Sequence, residues 1–162
     1  MTSPNKTTRP IQKQNRTSEM IRAYEPKDTD ALIAIWEKAN ALAHPFLPQD
    51  FVSQVKTDMR NIYLPNAETW VLEQQGQPIG FIAMIGNDIG GLFLDPAHHG
   101  RGWGKAMVYH VVASKGPLKV EVFSANTIGR PFYERYGFLL QDEYMHEASG
   151  QITARMAMPG VE

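Results

Sequence analysis

The chain of 162 residues contains no cysteine. Thiol catalysis, zinc–thiolate sites and disulfide bonds are therefore excluded, and this composition is in keeping with a reducing compartment. Long apolar runs are also missing, since the longest, at 79–85, is far too short to cross a bilayer. The polar start of the chain lacks the apolar segment of a secretory signal. These absences predict a soluble cytoplasmic protein with no membrane partner, long enough for one domain.

The net charge of −1 argues against a nucleic-acid partner, because nucleic-acid-binding domains usually present a basic face. Residues 1–19 nevertheless hold four basic residues and one acid, a balance of +3 that leaves −4 for the remaining chain. This segment is polar and poor in apolar residues, so we expect a disordered leader over 1–19 and a single domain over 20–160. The leader is interpreted either as an upstream extension or as a basic docking arm.

Apolar periodicity predicts the order β-α-α-β-β-β-α-β-α-β-β. The strands are expected at 20–24, 69–74, 79–85, 89–95, 118–123, 138–144 and 152–158, and the helices at 28–43, 49–63, 102–114 and 126–136. Asp28 is the expected N-cap of the first helix. The second helix is expected to carry Phe51, Val55, Met59 and Ile62 on one side. A meander followed by strand–helix–strand predicts an α/β (α+β) mixed sheet with helices on both faces.

A glycine-rich turn joins the predicted strand at 89–95 to the following helix. Gly100, Gly102 and Gly104 leave the backbone uncovered, so successive N–H groups can point into one concavity at a helix N-terminus. Arg101 and Lys105 add positive charge at its rim. A pyrophosphate is the natural ligand of such a turn, although glycines alone also permit a tight strand-to-helix connection. The spacing matches neither the dinucleotide-binding fingerprint nor the P-loop.

The segment 126–138 forms the second motif. Asn126 suits a helix N-cap and Gly137 a left-handed helix end, while the aromatic residues between them can pack in a core. Pro131 is expected inside this helix rather than in its first turn, which predicts a kinked or shortened helix and a cost of ~3 kcal/mol.

Together the two segments resemble the GNAT family of N-acetyltransferases. His99-x-x-Gly102-x-Gly104 is similar to its coenzyme A motif R/Q-x-x-G-x-G/A, and Asn126–Phe138 to its pattern N-x-x-A-x-x-F-Y-x-x-x-G-F. His99 departs from the usual Arg or Gln, and Gly129 replaces the usual Ala. The resemblance covers nearly all of 20–158, including the His-Pro-Phe loop found in small bacterial members that act on protein amines.

The resemblance implies a GNAT-like fold and acetyl-CoA as co-substrate. It implies direct acetyl transfer to a primary amine on a protein, either a lysine side chain or an N-terminus, by a monomer or homodimer. Alternatives are a small-molecule amine acetyltransferase, a non-catalytic acyl-CoA-binding sensor and an unrelated α/β interaction domain. The expected cofactor-binding residues are Leu92, Phe93, Leu94, His99, Gly100, Arg101, Gly102, Trp103, Gly104, Lys105, Asn126 and Tyr133.

Acetyl transfer requires a deprotonated amine, a hydrogen-bond donor for the thioester carbonyl and a proton for the leaving thiolate. By the resemblance, Tyr133 is the expected general acid. The backbone N–H of Leu94 is the expected carbonyl donor, provided that its strand splays from 118–123. Glu121 is the candidate base, because a carboxylate inside a covered sheet would be buried with a raised pKa, unless it marks the solvated face of an edge strand.

His44 and Phe46 precede the second helix and are candidate substrate contacts. His44 is interpreted either as a substrate-side base or as a residue that fixes its loop by hydrogen bonds. The remaining histidines lack metal-ligand spacing with carboxylates, so no metal is expected.

Overall fold

The computed structural model describes residues 19–161. The strands are β1 Glu19–Ala23, β2 Glu68–Gln74, β3 Gln77–Ile85, β4 Asp88–Leu94, β5 Lys119–Phe123, β6 Leu139–His146 and β7 Gln151–Ala157, and the main helices are α1 Thr29–Ala43, α2 Gln49–Asp58, α3 Trp103–Lys115 and α4 Gly129–Arg135. This order is the predicted one. No helix within the described residues is long and apolar enough to span a membrane. The predicted leader lies outside the described residues except for Glu19, which opens β1.

All seven strands form one mixed sheet in the order β1-β2-β3-β4-β5-β7-β6. Neighbouring strands are antiparallel except β4 and β5, which run parallel. These two strands pair only at Asp88–Lys119 and Ile89–Val120, near their starts. Beyond these pairs they diverge, so the sheet opens into a cleft between the ends of β4 and β5.

Helices cover both faces of the sheet, as predicted. On one face, α1 buries Leu32, Ile33, Ile35 and Trp36 against Val71 and Phe81. On the other face, α3 buries Met107, Val108 and Val111 against strand residues that include Ile82, Val120 and Met156, and Tyr133 of α4 joins this core. Burial of this much apolar surface is the main stabilising contribution to such a fold.

The second helix differs from the prediction in its last turns. After α2, residues Met59–Tyr63 form a π-helical turn, and Leu64–Asn66 add a short α-helical turn. A π turn contains more residues than an α turn and therefore rotates the side chains that follow it. Met59 is buried, but Ile62 is exposed, and Leu64 takes the buried position instead.

Asp28 stands at the N-cap position of α1, but its side chain does not cap the helix. Its carboxylate accepts two hydrogen bonds of 2.9 Å from the Arg22 guanidinium, which also bonds Glu73 at 2.6 Å. The Arg22 guanidinium holds the pKa of Asp28 below its usual value. The buried carboxylate therefore links the first two strands to the start of α1.

Candidate active site

A cavity of about 440 Å³ occupies the cleft between β4 and β5. It extends from the end of α1 and α2 to the start of α4. Several residues singled out in the sequence line it, namely His44, Leu92, Phe93, Leu94, His99, Glu121, Asn126 and Tyr133. Phe46 and the loop residues 100–105 are not among the lining residues. The structure thus brings both candidate catalytic residues and part of the candidate cofactor site to one cavity.

The backbone of β4 faces this cavity at Leu94. Asp95 donates its N–H to the Ile79 carbonyl at 2.8 Å, so Leu94, its neighbour in the antiparallel ladder, directs its own N–H and C=O away from β3. The side away from β3 is the one from which β5 has diverged. The splay on which the Leu94 N–H prediction depended is therefore present.

The glycine-rich turn follows β4 and a 3₁₀ turn at Pro96–His98. Gly100 and Gly102 have φ values of +80° and +84°, in the region that favours glycine, and α3 begins directly after them at Trp103. A Cβ atom at either glycine would meet open space, so it is the backbone conformation that requires glycine there. The exposed backbone at this helix N-terminus suits an anion.

Charged and aromatic side chains surround this turn. Arg101 and Lys105 are exposed, and the Lys105 ammonium lies 5.4 Å from the ring centroid of Tyr109 and 5.7 Å from that of Tyr136. His99 donates from Nε2 to the Leu94 carbonyl at 3.2 Å, so its side chain supports the backbone of the turn.

Gly104 has a different role from the other two glycines. A Cβ atom there would lie 3.0 Å from the Phe132 ring, so this glycine permits the close approach of α4 to α3. A larger side chain there would press on the Phe132 ring. This packing role concerns the Cβ position of Gly104, and the binding of phosphate by its backbone amide stays a prediction.

The loop carries polar groups that fit a ligand. His98 Nδ1 and Trp103 Nε1 are buried without a hydrogen-bond partner among the described residues, and such orphaned groups call for an explanation. The open backbone at Gly100 and Gly102 and the cleft beyond β4 fit coenzyme A as the co-substrate. Within residues 19–161, no three His, Asp or Glu side chains converge in a group that could hold a metal ion.

The helix α4 begins later than expected, at Gly129. Pro131 therefore lies in its first turn, where backbone N–H groups have no intrahelical partner, and the predicted cost of an interior proline does not arise. The turn before α4 is held by Asn126, whose Oδ1 accepts the N–H groups of Ile128 at 3.0 Å and Gly129 at 2.8 Å. The predicted shortening of this helix is present, and its cause is the late start.

Tyr133 lies at the cavity and is only 6% exposed. Burial raises the pKa of its hydroxyl, which has no hydrogen-bond partner among the described residues. Its ring packs edge-on against Phe132 at 5.2 Å and Phe138 at 5.1 Å. The side chain therefore presents a protonated, unpaired hydroxyl from a fixed ring.

Glu121 lines the cavity but is not buried, since its side chain is 50% exposed. The expectation of a buried carboxylate is therefore wrong, and so is its alternative of an edge strand, because β5 pairs with both β4 and β7. Glu121 is exposed because its face of the sheet is open to solvent at this point, where its cross-strand neighbour Arg155 is also 46% exposed. Tyr144 donates its hydroxyl to the carboxylate, and Arg155 Nε lies 3.9 Å away.

His44 is fixed by two hydrogen bonds that also define its tautomer. Because Asn126 Oδ1 accepts two backbone N–H groups, the Asn126 amide nitrogen donates to His44 Nε2 at 3.1 Å. His44 Nδ1 then carries the ring proton and donates it to Asn40 Oδ1 at 2.7 Å. Burial lowers the pKa of His44 to about 4. The imidazole is thus neutral with its lone pair engaged, which matches the loop-fixing interpretation rather than that of a base.

An aromatic wall, made of Phe51, Phe123, Tyr144 and His146, lines the cavity on the side of α2 and β6. The rings of Phe51 and Phe123 meet His146 edge-on at 5.9 Å and 6.0 Å. Phe46 lies behind this wall, 5.8 Å from both His44 and Phe123.

Sequence reasoning missed Phe51, Phe123, Tyr144 and His146 as site residues. The alternation of Tyr144 and His146 along β6 was an available signal, since residues two apart share a strand face. Asn40 was also missed, although it lies one helical turn before His44.

Because of His44, the free energy of unfolding should fall in mild acid. Its folded pKa of about 4 lies below its ordinary value of 6.5, so the unfolded chain binds more protons between these values. Stability is then fully present above pH 6.5 and is lost as pH falls towards 4, by on the order of 2 kcal/mol at pH 5. Urea unfolding at pH 7 and pH 5 should show a smaller acid-induced loss for His44→Phe than for the wild type. An equal loss in both proteins would contradict this assignment.

Comparison with known proteins identifies one family that this chain matches. The description "Acetyltransferase (GNAT) domain" matches residues 65–139. The peptidyl-lysine N-acetyltransferase YjaB of Salmonella typhimurium is 32% identical over 119 residues, which cover 73% of this chain and 81% of that protein. The peptidyl-lysine N-acetyltransferase YiaC of Escherichia coli is 28% identical over 144 residues, which cover 88% of this chain and 99% of that protein.

Among solved structures, the solution structure of apo-form YjaB from Escherichia coli superposes with a TM-score of 0.79 at 26% identity. The match covers 88% of this chain and 99% of that one. The mixed sheet with its helices on both faces is therefore shared over nearly the whole described domain.

Proposed function

Because the chain belongs to the GNAT acetyltransferase family and transfers an acetyl group from acetyl-CoA to an amine, we propose that its acceptor is a lysine side chain of a protein. The relatives named as peptidyl-lysine N-acetyltransferases support this acceptor. We also propose a cytoplasmic location, in keeping with a chain that has no cysteine.

The observation that carries the lysine proposal is the aromatic wall beside Tyr133. A lysine side chain has a long apolar stem and a cationic end, and aromatic rings accommodate both, the stem by apolar contact and the ammonium by cation–π attraction. The exposed Glu121 carboxylate at the same cavity adds a negative charge that attracts the ammonium. Beside the wall, the cleft is open to solvent at Glu121. A lysine that is attached to a protein needs such an opening to reach the cleft.

The positions of three groups support the proposed catalytic roles. Acetyl-CoA supplies the thioester, and Tyr133 donates its hydroxyl proton to the sulfur as the C–S bond breaks. The Leu94 N–H, directed into the cleft, donates to the carbonyl oxygen of the thioester. Glu121 receives the proton that the amine loses, through water, because its exposure gives solvent access. The amine nitrogen forms the new C–N bond directly, without an enzyme nucleophile.

The cofactor-binding residues divide by position. Backbone amides at 100–105 bind the diphosphate, and Arg101 and Lys105 contribute charge from the surface. Leu92, Phe93 and Leu94 line the cleft for the pantetheine arm, and His99 holds the turn through the Leu94 carbonyl. Asn126 holds the turn before α4 and has one further amide hydrogen to offer the arm.

Replacing Glu121 with Gln should lower kcat at neutral pH by roughly 10²-fold, the lower end of general acid–base catalysis. Gln keeps an oxygen for the Tyr144 hydroxyl but cannot take a proton. The acidic limb of the pH–rate profile should flatten, and the rate should recover at high pH as free amine becomes abundant. Glu147→Gln is the matched control, because Glu147 is exposed in the turn between β6 and β7 and does not line the cavity. An unchanged rate and acidic limb in Glu121→Gln would remove Glu121 from the mechanism.

Steady-state kinetics with an amine panel tests the acceptor class. We expect kcat/KM for an N-terminally blocked lysine peptide to exceed that for free lysine and spermidine by at least about 10-fold, because the aromatic wall and the open cleft provide contacts beyond the amine. Preference for a small amine would favour the small-molecule alternative. Binding of acetyl-CoA with no transfer to any amine would favour the sensor alternative.

A further inference from the structure

His44 joins four parts of the molecule at one point. Its two ring nitrogens bond Asn40 in the last turn of α1 and Asn126 before α4, at 2.7 Å and 3.1 Å. Its ring meets Phe123 at the end of β5 edge-on at 5.1 Å and Phe46 of its own loop at 5.8 Å. The imidazole therefore connects the acceptor side of the cavity with the start of the helix that carries Tyr133.

The contact between His44 and Asn126 depends on Gly129. A Cβ atom at position 129 would lie 2.5 Å from Asn126 Nδ2, well inside van der Waals contact. This nitrogen is the atom that donates to His44, and it lies at the end of a side chain rather than in the backbone, so it would move and break the bond. Gly129 thus explains why the carboxamide can fold back over the turn and reach His44.

We propose that His44 is a positioning residue, which acts with Asn126 across Gly129 to set α4, and hence the Tyr133 hydroxyl, relative to the acceptor-side loop 44–48. The inference rests on the amine entering beside the aromatic wall, as proposed above. Because Tyr133 is packed between Phe132 and Phe138, a shift at the start of α4 is transmitted to its hydroxyl. Loss of the link should therefore impair transfer to the amine.

The neutral state of His44 suits this role. An amide N–H can donate to Nε2 only while that nitrogen is unprotonated, and burial keeps it so down to mild acid, with a pKa of about 4. Within residues 19–161, the ring bonds the amides of Asn40 and Asn126 and packs against the rings of Phe46 and Phe123, none of which titrates. The hydrogen bond between Asn126 and His44 therefore persists at neutral pH.

A double-mutant cycle separates positioning from simple packing. His44→Phe keeps the ring packing and removes both hydrogen bonds, while Gly129→Ala displaces the Asn126 carboxamide without altering either bonded residue. Each change should lower kcat/KM for the amine by about 10-fold, as expected for a buried hydrogen bond left unmade. Since both break the same bond, the double variant should be no slower than the slower single variant. Any amine that the wild type acetylates serves as acceptor, so the cycle does not depend on the lysine proposal.

Thr127→Ala, in the same exposed turn but outside the cavity, is the control and should retain the wild-type rate. Nitrogen-15 NMR of the imidazole supplies a measurement that needs no turnover. It should show the wild-type ring protonated at Nδ1 and neutral at pH 6, and the Gly129→Ala ring with a raised pKa. Additive effects in the cycle, a normal rate in Gly129→Ala, or a wild-type ring protonated at Nε2 would each overturn the proposal.

Discussion

Tyr133→Phe should lower kcat by ~10²–10⁴-fold while the affinity for acetyl-CoA changes little. The reason is that a hydroxyl that protonates a leaving thiolate acts only in the transition state. Burial raises the pKa of this hydroxyl, so Tyr133 holds its proton throughout the working pH range and should add no alkaline limb to the profile. Phe also preserves the ring contacts with Phe132 and Phe138. Single-turnover kinetics with acetyl-CoA titration is the appropriate measurement, because it isolates the chemical step.

Tyr24→Phe is the matched control for this change. Tyr24 lies outside the cavity, and its hydroxyl bonds Thr29 at the start of α1. It should affect stability but not the chemical step. If Tyr133→Phe retained full kcat while chemistry was rate-limiting, the assignment of Tyr133 as the acid would be wrong.

Gly102→Val should weaken acetyl-CoA binding by roughly 10²-fold or more, the loss of two or so hydrogen bonds to a charged group. Gly102 has φ +84° at the N-terminus of α3, a conformation that a β-branched residue adopts only under strain. Relieving that strain would turn the backbone amides of the loop away from the diphosphate. Isothermal titration with acetyl-CoA measures the effect directly.

Gly76→Val controls for strain alone. Gly76 has φ +81° and open space around its Cβ position, as Gly102 does, but lies in the β2–β3 turn. It should lower stability to a similar degree and leave acetyl-CoA affinity unchanged. His99→Ala should weaken binding far less than Gly102→Val, because His99 bonds the Leu94 carbonyl and the amides carry the phosphate contact. Equal losses in His99→Ala and Gly102→Val would contradict recognition by the backbone.

Most of the fold could be predicted from local periodicity in the sequence. The seven strands and four main helices follow from alternation and helical spacing, because each element buries a face that the pattern already marks. The π turn at Met59–Tyr63 could not be read in this way, and it leaves Ile62 exposed while Met59 is buried. One inserted residue changes the phase of every later side chain without changing the apolar composition.

The sequence predicted the location of the site better than the chemical environment of its residues. Glu121 was expected to be buried because the sheet was predicted to be covered on both faces, yet it is half exposed, since its face of the sheet is open at Glu121 and its neighbour Arg155. The contact of His44 with Asn126 spans 82 positions of sequence and depends on the space left by Gly129. Such packing between distant segments leaves no periodic signal in either one.

Mass-spectrometric location of the acetyl group tests the central claim most directly. The enzyme should be incubated with acetyl-CoA and a peptide that carries both a free N-terminus and one internal lysine, and the product fragmented. The account predicts acetylation on the lysine Nζ, dependent on Tyr133, with no acetylated form of the enzyme preceding it. Acetylation confined to the α-amine would contradict it. So would a peptide that stays unmodified although the enzyme binds acetyl-CoA normally.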